Sequence, residues 1–277
     1  MPTGGQSSKA SARLVLRADR AFGLTAVRVK RKVAAVETIS PTRASVNSLS
    51  PAREVKSLAV APPALAPSTV FTTEPFNSSP LSTDEKRLRL AAMDEQEVRG
   101  CIKCRLCETR TQTVFGEGDV DAKIFFIGEG PGENEDLSGR PFVGKAGQLL
   151  DKMIGAMGLS REKVFIANIV KCRPPNNRVP APDEVATCTP YLQRQLEIVR
   201  PRVIVTLGLP ATKYMLQVNS TMGKLRGQWH EWRGIRLMPT FHPAYILRSY
   251  TEQTRAAVWS DLKLVMNEIG LKSAKNR

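Results

Sequence analysis

The sequence predicts an α/β fold in which a central, mostly parallel four-stranded sheet is covered by helices on both faces. Two observations predict it. Four short apolar runs, at 122–128, 164–170, 203–208 and 237–241, have the length of buried strands. Between and after them lie segments whose apolar residues recur at helical spacing, and strands that alternate with helices build parallel sheets. The composition agrees, with 42% of the 277 residues hydrophobic and 24% charged, close to the globular average.

Taken in order, Ser82-Thr83-Asp84-Glu85 fits a capping box and opens a helical stretch to about Gly100. The first strand, 122–128, ends in glycine. Leu149, Leu150, Met153, Ile154 and Met157 mark a helix over 146–157. The second strand follows at 164–170. Pro182-Asp183-Glu184 starts a helix that runs to Val199, with proline in its first turn. The third strand, 203–208, leads into a short helix over 210–216. The fourth strand, 237–241, is followed by a closing helix over 253–269. His230 falls in a hairpin before the fourth strand and reads as structural or exposed. In parallel sheets ligands bind beyond the carboxyl ends of the strands. Those ends carry Gly128-Glu129-Gly130-Pro131-Gly132, Asn168 and His242.

The chain divides near residue 84. Residues 1–84 hold 11 Lys plus Arg against 5 Asp plus Glu, with Pro41, Pro51, Pro62, Pro63, Pro67, Pro75 and Pro80. Such a segment buries too little apolar surface to offset its ordering entropy, so it reads as a disordered basic extension. Its Arg-rich, acid-poor start fits a solvated tail or, as an alternative to a cytoplasmic location, an organelle transit peptide. Residues 85–271 form the predicted folded domain and 272–277 a short tail. The whole chain carries 41 Lys plus Arg against 26 Asp plus Glu, a net +15 that favours a polyanionic partner. No apolar run reaches membrane-spanning length, which excludes an integral membrane protein, and five cysteines are too few for a disulfide scaffold.

Cys101-x-x-Cys104 precedes the first strand, Cys172 follows the second, and Cys188 lies in the next helix. Two pairs of thiolates suit a tetrahedral zinc or an iron–sulfur cluster, and Cys107, three residues after Cys104, competes for a ligand role. The glycines of 128–132 let main chain approach a ligand, and their free N–H groups can hold an anion or a carbonyl oxygen; an ordinary strand-to-helix turn is the alternative. No Gly-Lys-Ser/Thr follows, which argues against a nucleoside triphosphatase. Phe142 lies between Pro141 and Val143-Gly144 on a loop, where its ring can stack on a base or pack into the core. Leu247 and Arg248, just after His242, could wedge into a duplex and hold a phosphate.

These residues are similar to a known family. The stretches Cys101-Ile-Lys-Cys104, Gly128-Glu-Gly-Pro-Gly-Glu-Asn-Glu-Asp136, Gly139-Arg-Pro-Phe-Val-Gly144, Asn168-Ile-Val-Lys-Cys-Arg-Pro-Pro-Asn-Asn-Arg178 and His242-Pro-Ala-Tyr-Ile-Leu-Arg248 resemble the family-4, iron–sulfur branch of the uracil-DNA glycosylases over about 99–271. The resemblance implies a three-layer α/β/α sandwich and a structural [4Fe–4S] cluster on Cys101, Cys104, Cys172 and Cys188, with Cys107 a spare thiol. The acidic residue in Gly-Glu-Gly-Pro-Gly fits family 4, since family 5 lacks it. The basic insertion of the branch that captures uracil covalently is absent between Thr206 and His242.

The activity implied is hydrolysis of the glycosidic bond of deoxyuridine in single- or double-stranded DNA, by a monomer with no membrane partner. Glu129, Asn168 and His242 are the implied catalytic residues. Gly128, Glu129, Gly130, Glu135, Phe142, Asn168 and His242 would form the uracil pocket, with Glu135 blocking the C5 methyl of thymine. Leu247 and Arg248 would contact DNA. A non-catalytic DNA-binding module, or a redox sensor using Cys107, is the alternative on the same fold.

Overall fold

The structure, a computed structural model, describes Phe76 and residues 79–271. Most of the proposed extension, and all of the tail at 272–277, lie outside the described residues. The first α-helix is α1 (Thr83–Met93), whose Ser82 cap is closed reciprocally by Glu85 as its capping box requires. Leu81 and Phe76, before residue 85, pack against the core.

Six strands follow among the described residues: β1 (Glu117–Gly118), β2 (Ile124–Gly128), β3 (Phe165–Asn168), β4 (Val203–Leu207), β5 (His230–Trp232) and β6 (Ile235–Thr240). Their order across the sheet is β1-β3-β2-β4-β6-β5. The four predicted strands are the parallel centre, β3-β2-β4-β6. The count of four is corrected by two short antiparallel edges, β1 on β3 and β5 on β6. Neither edge carries an apolar run: β1 is two residues long, and β5 is three, joined to β6 through Arg233 and Gly234 at positive φ. Successive positive-φ residues form the tight turn whose twist suits a two-residue hairpin.

The remaining helices are α2 (Glu133–Ser138), α3 (Lys145–Ala156), α4 (Pro182–Val199), α5 (Leu209–Leu216), α6 (Met222–Leu225), α7 (Pro243–Arg248) and α8 (Glu252–Glu268). Side chains alternate across each central strand and build two cores. Phe125, Ile127, Ile204 and Leu237 face α1, α4 and α5 through Leu90, Leu192, Leu196 and Met215. Ile124, Phe126, Val205 and Met238 face α3 and α8 through Leu150, Met153, Val258 and Leu262. The result is the expected α/β/α sandwich. No helix among the described residues is long and apolar enough to cross a membrane.

Candidate active site

Chain direction alone gathers Gly128, Asn168, Gly208 and His242 at one edge of the sheet, because all four parallel strands end there. The chain leaves β2 for β3 on one side and then crosses to β4 on the other, so a crevice opens beyond β2. The crevice is a cleft of about 1010 Å³ whose walls include Glu129, Gly130, Glu135, Phe142, Asn168 and His242. Arg178, Lys145 and Arg248 stand at the same cleft. Leu247 is not in the lining; it is 42% exposed on α7.

Asn168 is buried, 1% exposed, and its Oδ1 has no hydrogen-bond partner among the described residues. A buried polar atom left unpaired costs free energy, so such an atom facing a cleft marks a place for a ligand donor. Gly128 makes the room. A Cβ at that position would overlap Asn168 Oδ1 and lie 2.5 Å from Phe142 Cζ.

The loop after β2 is braced by Glu135. Its Oε1 accepts from the N–H groups of Val143 and Gly144 at 2.8 Å, and its Oε2 from Gly132 at 3.1 Å. The carboxylate thus locks the 128–132 loop to the 140–144 loop that carries Phe142. Arg161 fixes the same loop by donating to the carbonyls of Phe142 (3.1 Å) and Pro141. Phe142 takes a positive φ of 52°, is 6% exposed, and sits with its ring centroid 5.6 Å from that of His242. Phe142 belongs to the core cluster on that side of the sheet and also lines the cleft. Burial alone raises the Glu129 carboxyl above the ordinary carboxylate value.

His242 caps α7: its Nδ1 accepts from the Ala244 N–H at 3.1 Å. In a neutral ring the proton must then sit on Nε2, leaving a donor. Burial, reinforced by the Arg248 charge, pulls His242 down to about 4. The strand end before it is held by Thr240, whose hydroxyl donates to Asp261 at 2.7 Å, and Asp261 accepts both arms of Arg226. Because the folded value lies below the ordinary ~6.5, the ring's contribution to stability is present above that pH and lost as pH falls towards about 4. We expect the His242 ring resonances to stay unshifted from pH 8 to pH 5 in an NMR titration; a midpoint near ~6.5 would remove the fixed tautomer.

Residues 115–263 match the uracil DNA glycosylase superfamily. The chain is 48% identical over 185 residues to the type-4 uracil-DNA glycosylase of Saccharolobus solfataricus, covering 64% of this chain and 85% of that one. It is 45% identical over 179 residues to that of Thermotoga maritima, covering 64% and 93%. A third type-4 enzyme, from Sulfurisphaera tokodaii, is 48% identical over 180 residues, covering 62% and 81%. The chain belongs to the type-4 uracil-DNA glycosylases.

In this type-4 chain the four cysteines expected to act together line one small cavity, separate from the cleft. Cys101 and Cys104 come from the loop after α1, Cys172 from the turn after β3, and Cys188 from α4. Cys107 is outside that lining. None of the five is in a disulfide. Among the described residues no three His, Cys, Asp or Glu side chains converge on the position of a single metal ion. Donors face the sulfurs: Arg110 Nη1 lies 3.1 Å from Cys172 Sγ, the Lys171 N–H 3.2 Å from Cys188 Sγ, and Tyr191 Oη 3.6 Å from Cys101 Sγ. Hydrogen-bond donors aimed at sulfur suit thiolates, and the donor set fits a thiolate-held cluster.

Sequence reasoning missed the bracing residues. Arg161 and Asp261 are distant in sequence from what they hold, and no local pattern marks them. Glu184, fully buried, accepts from Arg105 beside Cys104 and from Arg178 at the cleft, which holds it down at about 2. Lys171 carried a readable signal, a lysine set directly after the apolar run at 164–170 and before Cys172. Gly208, at φ 89° against His242, also had one: it follows the third strand as Gly128 ends the first.

Proposed function

We propose that the chain flips deoxyuridine out of DNA and hydrolyses its N-glycosidic bond, releasing uracil and leaving an abasic site for base excision repair. The observation that carries this reading is the buried, unpartnered Asn168 Oδ1 in the cleft wall. Uracil presents an N3–H donor beside its O4 acceptor, and a carboxamide offers the complementary acceptor and donor. Cytosine reverses both groups and would leave buried polar atoms unpaired. Phe142 would lie against the base face. Glu135, immobilised by its three main-chain bonds, would stand as a rigid wall at C5.

Extrusion of the base costs roughly a few kcal/mol. Arg178, Lys145 and Arg248 would attract phosphates, and Leu247 would enter the gap left in the stack. As the C1′–N1 bond breaks, its electrons pass to the uracil ring and gather at O2. The His242 Nε2–H and the main-chain N–H groups of Glu129 and Gly130 would meet that charge, a preorganised donor set of the kind that dominates such reactions. Glu129 would orient the attacking water and stabilise the cationic sugar. The water oxygen bonds to C1′ and its proton is released to the departing base or to solvent, with no covalent enzyme intermediate.

Cys101, Cys104, Cys172 and Cys188 would hold a [4Fe–4S] cluster, which ties the loop after α1 to the turn after β3 and supplies no redox step to the hydrolysis. Cys107→Ser is expected to leave iron per chain unchanged and Cys188→Ser to lose it; a colourless Cys107→Ser protein would overturn the ligand set. We place the enzyme in the cytoplasm as a monomer on single- or double-stranded DNA, with residues 1–84 as a basic extension to the domain.

The deciding experiment incubates iron-replete protein with an oligonucleotide containing one uracil, then treats it with alkali. Strand breaks at the uracil, absent with a thymine control, are expected. Intact strands would favour the non-catalytic DNA-binding reading.

A further inference from the structure

Lys171 is 1% exposed. Its ammonium rests on two neutral oxygens, the Asn168 carbonyl at 3.0 Å and Gln195 Oε1 at 2.6 Å. Among the described residues it forms no ion pair with a carboxylate. Withdrawing an ammonium from water in this way is unfavourable unless its hydrogen bonds are good, so its position calls for a reason.

The reason lies at the end of β3. On one side the ladder continues past Asn168, with the Ile169 N–H on the Gly128 carbonyl at 3.0 Å and the Val170 N–H on that of Glu129 at 3.3 Å. On the other side β1 pairs only with Phe165 and Ile166, so the Asn168 carbonyl projects beyond the last rung. The Lys171 ammonium occupies the missing partner's place. Gln195 holds the ammonium from behind and is itself anchored by Nε2 on the Phe115 carbonyl at 2.9 Å. The Lys171 main chain is fixed as well, its carbonyl by the Val114 N–H at 2.7 Å and its N–H by Cys188 Sγ at 3.2 Å.

We propose that Lys171 is a positioning residue that fixes the main chain of Asn168 and thereby ties the base-reading amide to the four-cysteine cavity through the turn 169–172. The proposal rests on Asn168 being the base reader. A charge-assisted bond is about twice as strong as a neutral one, and the carbonyl it holds belongs to the residue whose side chain must meet the base. Loss of that hold lets the amide drift, and a displacement of about 1 Å costs on the order of a hundredfold in rate.

The test is a double-mutant cycle of Lys171→Met with Asn168→Ala in the full chain carrying its iron. Lys171→Met keeps the stem and removes the charge. We expect kcat to fall by about a hundredfold with KM for the oligonucleotide unchanged, because the phosphate-facing residues are untouched. Iron per chain and visible absorption should remain those of the parent. In the Asn168→Ala background Lys171→Met should have no further effect, since the amide it positions is gone. Full additivity, or an unchanged kcat in the single variant, overturns the proposal. Loss of iron alongside kcat overturns it too, by placing the effect in the cysteine site. If Asn168→Ala itself keeps the parental rate, the base-reading assignment fails and the coupling falls with it. Should Lys171→Met not fold, Gln195→Leu leaves the charge, removes its second anchor and carries the same cycle, with about a tenfold loss expected.

Discussion

Asn168→Ala is expected to lower the single-turnover rate of uracil excision by about a thousandfold without a loss of thermal stability. The two halves of this expectation come from the same atom. Asn168 Oδ1 is buried and unpartnered, so removing it leaves no donor of the free protein unpaired. In the complex the balance reverses. The base would keep its N3–H and O4 in a closed cleft with nothing to meet them, and the loss would be felt most as the bond to the sugar breaks. Rate and melting temperature measured together decide the matter. A parental rate would show that the base is read elsewhere, whereas a large fall in melting temperature would mark Asn168 as a structural amide. Iron content should be unaffected, because Asn168 is not in the lining of the cysteine cavity.

Gly128→Ala is expected to close the pocket and lower the rate by more than about a hundredfold. The added methyl has one position, set by the backbone, and it is already filled by two groups assigned to the base: Asn168 Oδ1 and the Phe142 ring. Phe142 has little freedom to retreat, since Arg161 holds its carbonyl and a positive φ fixes its backbone. Overpacking of this kind costs roughly 1–3 kcal/mol of stability, so a modest drop in melting temperature should accompany the loss. Gly155→Ala is the control, because a Cβ there meets nothing within 4 Å. It should leave the rate as it is and slightly stabilise its helix. A Gly128→Ala enzyme with parental rate would show that the base does not enter between Asn168 and Phe142.

Much of the candidate site is legible in the sequence. The four central strands were marked by apolar runs, and the rule that parallel sheets bind ligands at their carboxyl ends picked out Gly128, Asn168 and His242. The cysteine pairs announced a thiolate site. What local pattern could not reach were the edges and the braces. Strand β1 exists because Glu117 and Gly118 happen to lie beside β3, and a Cβ at Gly118 would collide with that strand's main chain. Glu135 illustrates the difference most clearly. Its place in the motif marks it for the pocket, yet its carboxylate is committed to three main-chain N–H groups, which only the folded loops bring together.

The order of elements, the basic charge and the kinds of chemistry at each strand end were settled by sequence, because hydrophobic period and residue type act locally along the chain. The tautomer of His242, the open acceptor on Asn168 and the buried ammonium of Lys171 were settled only by the tertiary structure. Each depends on which distant group supplies a hydrogen bond and which is withdrawn from water, and those are properties of packing between elements.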